Sequence, residues 1–302
     1  MKYYSLFILS VLSINAFSQV TNEDSINKIK FNSFTDKLFN RFSIRQSFQG
    51  KAEKEEAAFF NVVNPTGKQI SYNYSFAIGY TLSQKINLTP FFEWQKNNLI
   101  DKKQDNLLSG VELQTPLLPK NEKLPVPYII VRLNYKNDQI KSTQGLQGSF
   151  YGTLSFNGVR DGILCPLPDV VNNFHWISFY YNPYLGFEYE GRFTATADSL
   201  KGNTERFYLR ITSNIYPLSS LLDRRLEIVP DFIYRKAISN TSKAEKNENC
   251  LFKIDFNVIL FRKKISEKSV EFKFGVNYTN GSDPSKSFEK QEVTTWSFKI
   301  KV

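Results

Sequence analysis

Histidine and methionine each occur once in these 302 residues, and cysteine twice. Two thiols cannot staple a disulfide-dense scaffold. One histidine excludes the common histidine-rich zinc and iron centres, so neither metal nor cofactor is expected. A P-loop, a dinucleotide fingerprint, an HExxH pair and an EF-hand loop are also missing. No apolar run beyond residue 18 approaches the about 20 residues of a membrane-crossing helix. What is abundant is aromatic: 27 Phe, 16 Tyr and 3 Trp, beside 39 Lys plus Arg against 29 Asp plus Glu, a net charge of +10. So much apolar and aromatic residue argues against disorder.

Residues 1–18 have the layout of an export signal. Lys2 gives a positive start, Leu6 to Ile14 is apolar, and the small residues Ala16 and Ser18 precede a cleavage point before Gln19. Residues 19–40 read as a periplasmic N-terminal segment, with a weak helical period over 24–39 (Ile26, Ile29, Phe34, Leu38).

From residue 41 to 302 the period is two. In Ile70 to Leu82 every even residue is apolar or aromatic and every odd one small or polar. The alternation returns around Phe92 and Trp94, Val131 to Tyr135, Phe207 to Ile215, Phe252 to Leu260, Val270 to Tyr278, and Trp296 to Val302. Successive side chains of a strand point to opposite faces, so each run is a strand with one greasy and one polar face. Weaker runs at 41–49, 106–114, 148–158, 178–193 and 224–236 bring the expectation to about twelve strands, most near the 9–11 residues that cross a bilayer when tilted. Asn182-Pro183 predicts a bulge or strand end, because proline cannot donate to a ladder.

A soluble sandwich also alternates, but its strands are about 5–6 residues long. Here the apolar faces are longer, and charges sit mid-strand on the opposite face, as suits a polar interior with lipid outside. The expected fold is therefore all-β: a single-domain transmembrane antiparallel up-and-down β-barrel over 41–302. The chain resembles the porin-like outer-membrane β-barrel proteins of Gram-negative envelopes, a resemblance carried by this alternation, the export signal and the alternating final strand. It implies residence in the outer membrane after export to the periplasm, contact with lipid and lipopolysaccharide, and recognition by the outer-membrane assembly machinery through strand 292–302. In that family the last residue is commonly aromatic; here it is Val302, with Trp296 and Phe298 behind it. The resemblance also puts both termini in the periplasm, with outer loops near 50–69, 97–105, 137–147, 194–204, 237–249 and 280–291. The segment from Gly158 to about Asn173 is then an unusually long periplasmic connection.

On the inward face the pattern places twelve cations: Arg41, Arg45, Arg132, Lys136, Arg192, Arg206, Arg210, Arg235, Lys253, Lys273, Lys299 and Lys301. Eight acids join them: Glu93, Glu112, Glu188, Glu190, Glu227, Asp231, Asp255 and Glu271. The balance is 12 − 8 = +4. Glu112 is expected to face Arg132, and Glu188, Arg210, Asp231, Lys253 and Lys273 to form a belt. Two readings stand open: a narrow passive channel favouring small anionic solutes, or a cross-strand charge network that closes the lumen of a scaffold or adhesin acting through loops 50–69 and 158–173. Tyr80, Trp94, Tyr135, Tyr234, Tyr278 and Trp296 are expected as interfacial anchors. No enzyme is expected: an acyl hydrolase of this fold needs a His beside a Ser, and the three-residue step from His175 to Ser178 puts them on opposite faces of a strand. Nucleic acid is not an expected partner of an exported barrel.

Overall fold

A computed structural model describes residues 40–48, 57–63, 71–82, 87–98, 103–118, 126–156, 158–242, 247–265 and 268–302. The export signal, the helical period over 24–39 and most of the N-terminal segment lie outside the described residues. The strands are β1 (Phe42–Arg45), β2 (Ala58–Val63), β3 (Ser71–Tyr80), β4 (Leu88–Asn97), β5 (Gln104–Pro116), β6 (Val126–Asp138), β7 (Thr143–Ser155), β8 (Gly158–Asp161), β9 (Val170–Asn173), β10 (Ile177–Thr194), β11 (Gly202–Pro217), β12 (Leu226–Asn240), β13 (Glu248–Ile265), β14 (Lys268–Asp283) and β15 (Phe288–Lys301).

Twelve of them close a ring in the order β2-β3-β4-β5-β6-β7-β10-β11-β12-β13-β14-β15 and back to β2, every neighbour antiparallel. Closure removes the sheet edges that an open structure would have to protect. The first described strand meets the C-terminal residue at one rim, here the chain-end rim, where the amide and carbonyl of Ile44 bond those of Val302.

The alternation read from the sequence decides which way the wall faces. Leu133, Phe187, Phe256, Trp296 and Phe298 are exposed on the outside, Trp296 and Phe298 at 66%. Arg132, Glu188, Arg206, Asp231 and Arg235 are buried inside. A bulge between Ile259 and Phe261 resets the alternation in β13 and turns Leu260 and Phe261 to the outer side together.

Several sequence expectations need correction. The first wall position is not one strand at 41–49. β1 ends at Arg45 opposite Ala77, and β2 resumes the same antiparallel course along β3 with Phe59 opposite Ser75. Two wall positions (77 − 75) thus consume fourteen residues (59 − 45), so twelve leave the wall. Residues 58–63, expected in an outer loop 50–69, are wall, and Ala58 is buried within it. At the rim away from the chain ends some strands run further than expected: β6 and β7 are joined by residues 139–142 alone, and 280–291 is largely strand, whereas 194–204 stays mostly connection around a short 3-10 turn at Asp198–Leu200. β10 passes through Asn182-Pro183 without a register shift towards β11. Proline is tolerated there because this flank of β10 changes partner, from β9 at Ser178–Phe179 to β7 at Leu185. The Pro183 carbonyl accepts from Thr153 Oγ1 on that flank, where a ladder amide is not required. The long connection after β7 is also built: β8 and β9 pair in parallel and extend the sheet below the rim.

Candidate functional site: the lumen

The lumen is entered from both rims. From the chain-end side the twelve-residue excursion begins with Gln46, Ser47 and Phe48, and Phe48 is fully buried. Its ring stacks on Phe91 at 4.9 Å between centroids, and the Arg45 guanidinium lies 3.5 Å from its centre. Glu93, also fully buried, grips this segment. Its carboxylate accepts from Ser47 Oγ at 3.0 Å, from the Phe48 amide at 3.4 Å and from Arg132 at 3.2 Å, and from Gln95 as well. Arg132 also donates to the Phe48 carbonyl at 3.2 Å. Charge-assisted bonds of this kind are the stronger class, and in a water-poor interior a carboxylate without them would be costly.

From the other rim comes the β14–β15 connection. Gly281 at φ 123° starts the inward turn; a Cβ there would stand 2.0 Å from the Cys250 carbonyl oxygen, so only glycine fits. Asp283 caps the turn, accepting from the Ser285 amide at 3.1 Å, with Pro284 in the first position. The strap Pro284–Lys286 then spans the lumen. The Pro284 carbonyl accepts from Lys136 Nζ on β6 at 2.8 Å, the Ser285 carbonyl from Gln147 Nε2 on β7 at 3.0 Å, and the Lys286 carbonyl from Gln104 Nε2 on β5 at 2.5 Å. β6 stands six strands from β14 in a ring of twelve, the opposite wall. On the near side Arg235 holds Asp283 at 3.0 Å and Ser285 Oγ at 3.2 Å.

Between the two crossings the charges sort into separate clusters rather than one belt. Arg210 clamps Asp231 through two bonds of 2.8 and 3.1 Å, with Lys253 at 3.7 Å. Glu188 belongs to Arg235, at 2.7 and 3.1 Å, and to Tyr151. Lys273 reaches Glu227 at 2.7 Å and Glu271 at 3.0 Å, and Lys299 reaches Asp255 at 2.6 Å. Glu190 gathers Lys136, Arg192 and Arg206. Glu112 is opposite Arg132 in the ladder, but the inserted segment divides them: Glu112 pairs with Arg45 at 3.2 Å and Arg132 with Glu93.

All eight residues expected at the lumen (Arg132, Arg210, Asp231, Lys253, Asp255, Lys273, Glu112 and Glu188) point inward, seven of them buried and Lys253 nearly so. The expected surplus of +4 is reduced by acids the strand pattern did not assign to the lumen: Asp138, Asp169 and Asp283 are buried, bringing eight acids to eleven, while the strap adds Lys286 beside the cavity. Asp105, opposite Lys96, lies on the outer face. Asp138 and Asp283 had been read as parts of outer loops. Of the expected anchors, Tyr80 ends β3, Trp94, Tyr135 and Tyr278 lie in the last third of their strands, Tyr234 lies nearer the middle of β12, and Trp296 lies mid-strand, stacked on Phe274 at 5.8 Å. Trp94 Nε1 donates to Asp105 at 3.0 Å. His175 is exposed at the chain-end rim, while Ser178 is buried and donates to Asn173 at 2.6 Å. Among the described residues a cavity of about 70 Å³ lies beside the strap and one of about 10 Å³ against Arg206 and Glu188. Among the described residues no group of three His, Cys, Asp or Glu is placed to hold a metal ion. No family model, no curated protein sequence and no solved structure matches this chain.

Proposed function

We propose that this chain is an exported outer-membrane barrel with a closed lumen, acting as a non-conducting scaffold. The observation that carries the closed lumen is the strap: three consecutive main-chain carbonyls are taken by three strands of the opposite wall. The inserted Phe48 segment supports it from the other side. The membrane reading rests on inversion of the usual protein surface. Large apolar side chains face outward around the ring while carboxylates and guanidinia face inward, which is stable when the outer surroundings are hydrocarbon and unfavourable in water. Lipid and lipopolysaccharide are then the outer contacts, and strand 292–302 the element offered to the assembly machinery.

A scaffold acts through its ends. The chain-end rim carries the β8–β9 lobe, with Val159, Ile163 and Leu164 exposed, and Trp176 and Leu221 beside it. Of the two loops singled out in the sequence, this one, 158–173, remains a candidate contact surface.

The test is conductance of the purified, refolded protein in a planar bilayer. A folded barrel that stays electrically silent is expected. Steady, anion-selective current would overturn the closed-lumen reading in favour of the channel, and Arg132, Arg210 and Lys253 would be the residues to neutralise next.

A further inference from the structure

We propose that the chain-end rim is an interfacial collar that selects anionic phospholipid, with the β8–β9 lobe and the β11–β12 turn as the part that binds headgroups; the proposal rests on the outer-membrane reading above. Among the described residues, leucine stands exposed in four connections at this rim: Leu82 after β3, Leu117 and Leu118 after β5, Leu164 in the lobe and Leu221 after β11. A compact protein partner would cover one side of the ring. Apolar side chains distributed around it suit a surface that surrounds the whole ring, as a bilayer does. The outward row of β10 leads into the same place. Phe187, Leu185, Phe179 and Ile177 alternate outward down the strand, and Phe174 stacks on Phe179 at 6.4 Å between centroids. Trp176 stands next to Ile177 and is exposed. Tryptophan, with an apolar body and one N–H donor, belongs where hydrocarbon meets headgroups.

The lobe and the turn are tied together. The Gly162 amide donates to the Asn173 carbonyl at 2.9 Å, and Ser220 Oγ donates to the His175 carbonyl. These bonds join the stretch carrying Ile163 and Leu164 to the one carrying Trp176, and that one to Leu221. The turn is built to hold its leucine out. Leu218, Asp223 and Arg224 take the left-handed backbone, at φ 51°, 48° and 53°, which such residues seldom adopt. The amides of Leu221, Leu222, Arg224 and Arg225 all bond back into the turn, and Leu221 is left 71% exposed. Strain of this kind is kept where the shape it holds is used. Cations then select the headgroup. Arg160 on β8 and Arg225 in the turn are exposed and Arg224 is half-buried, against Asp161 and Asp223. Asp161 is engaged by Asn173 Nδ2 at 2.7 Å. Arginine lays its stem along apolar surface while its guanidinium bonds phosphate oxygens, and an anionic leaflet attracts it.

Quenching of tryptophan emission tests the collar, with the refolded protein in phosphatidylcholine vesicles. Lipid brominated on its acyl chain near the glycerol is included as phosphatidylcholine or as phosphatidylglycerol, at the same mole fraction. The Trp176 signal is the difference between the wild type and Trp176→Phe, and the Trp296 signal that between the wild type and Trp296→Phe. Both side chains are exposed, so both variants are expected to fold. Trp176 is expected to be quenched by both lipids and more strongly by the phosphatidylglycerol. That excess is expected to be lost in the double variant Arg160→Gln, Arg225→Gln. Trp176 reached by aqueous acrylamide and not by lipid would overturn the proposal and leave the lobe in water, open to a soluble partner. Equal quenching by the two lipids, or an excess that survives the double variant, would overturn it as well. Trp296, mid-strand on the outer face, separates this failure from that of the membrane reading. A quenched Trp296 beside an unquenched Trp176 sinks the collar alone; neither quenched sinks both.

Discussion

Two seams of the same ring are built in opposite ways. β10 and β11 are laddered through sixteen consecutive pairs, from Ile177 opposite Pro217 to Arg192 opposite Gly202. β15 and β2, where the ring closes, share three. The first seam is held by main chain, with hydrogen bonds that any sequence of suitable pattern can make. The closing seam has one further main-chain tie, Ile44 to Val302, and otherwise leans on lumenal side chains: Glu93 and Arg132 hold the excursion, and Arg45 reaches Glu112. A stave interrupted by twelve residues sacrifices ladder, and a charge-assisted network inside substitutes for it.

Hydrogen exchange should show the contrast most strongly. Backbone amides of β10 and β11 are expected to exchange orders of magnitude more slowly than those of β2 and of β15 before Phe298, read by mass spectrometry on the folded protein. Equal protection at both seams would break the comparison. Glu93→Ala comes next. It strands Arg132 inside the lumen and releases Ser47 and Phe48, a loss of about 3–5 kcal/mol, read as a lower urea midpoint by tryptophan emission and as brief openings in a bilayer. Phe48→Ala should cost about 3 kcal/mol by emptying the space over Phe91, with the same readout. The smallest effect is expected at the open part of the seam. Asn61→Val removes an amide with no partner, so stability should stay level or rise by up to about 1 kcal/mol; a clear fall would mean that Asn61 is bonded in solution.

The wall itself was legible because its signal is local. Leu133 beside Arg132, or Phe232 beside Asp231, states which side faces outward and which faces inward, and closure of the ring leaves little choice about it. The network was only half legible. The strand pattern put Arg132, Glu112, Arg210 and Asp231 on one face, yet pairing across a lumen depends on which side chains meet after closure. Arg210 found Asp231 on the neighbouring strand, while Arg132 found Glu93 two strands away, both of them bonded to the main chain of Phe48. Asp283 and Ser285 carried a turn signal in Asp-Pro-Ser, which says that the chain reverses and not that it reverses inward.

By itself, then, the sequence determined an all-β chain of about twelve staves with an apolar outside and a charged inside, because side-chain alternation is a property of each strand alone. Only the tertiary structure decided that the lumen is entered from both rims, that the first stave is split, and which ion pairs form. Those outcomes depend on residues far apart in the chain, such as Lys136 and Pro284 or Arg45 and Glu112, whose meeting no local period encodes.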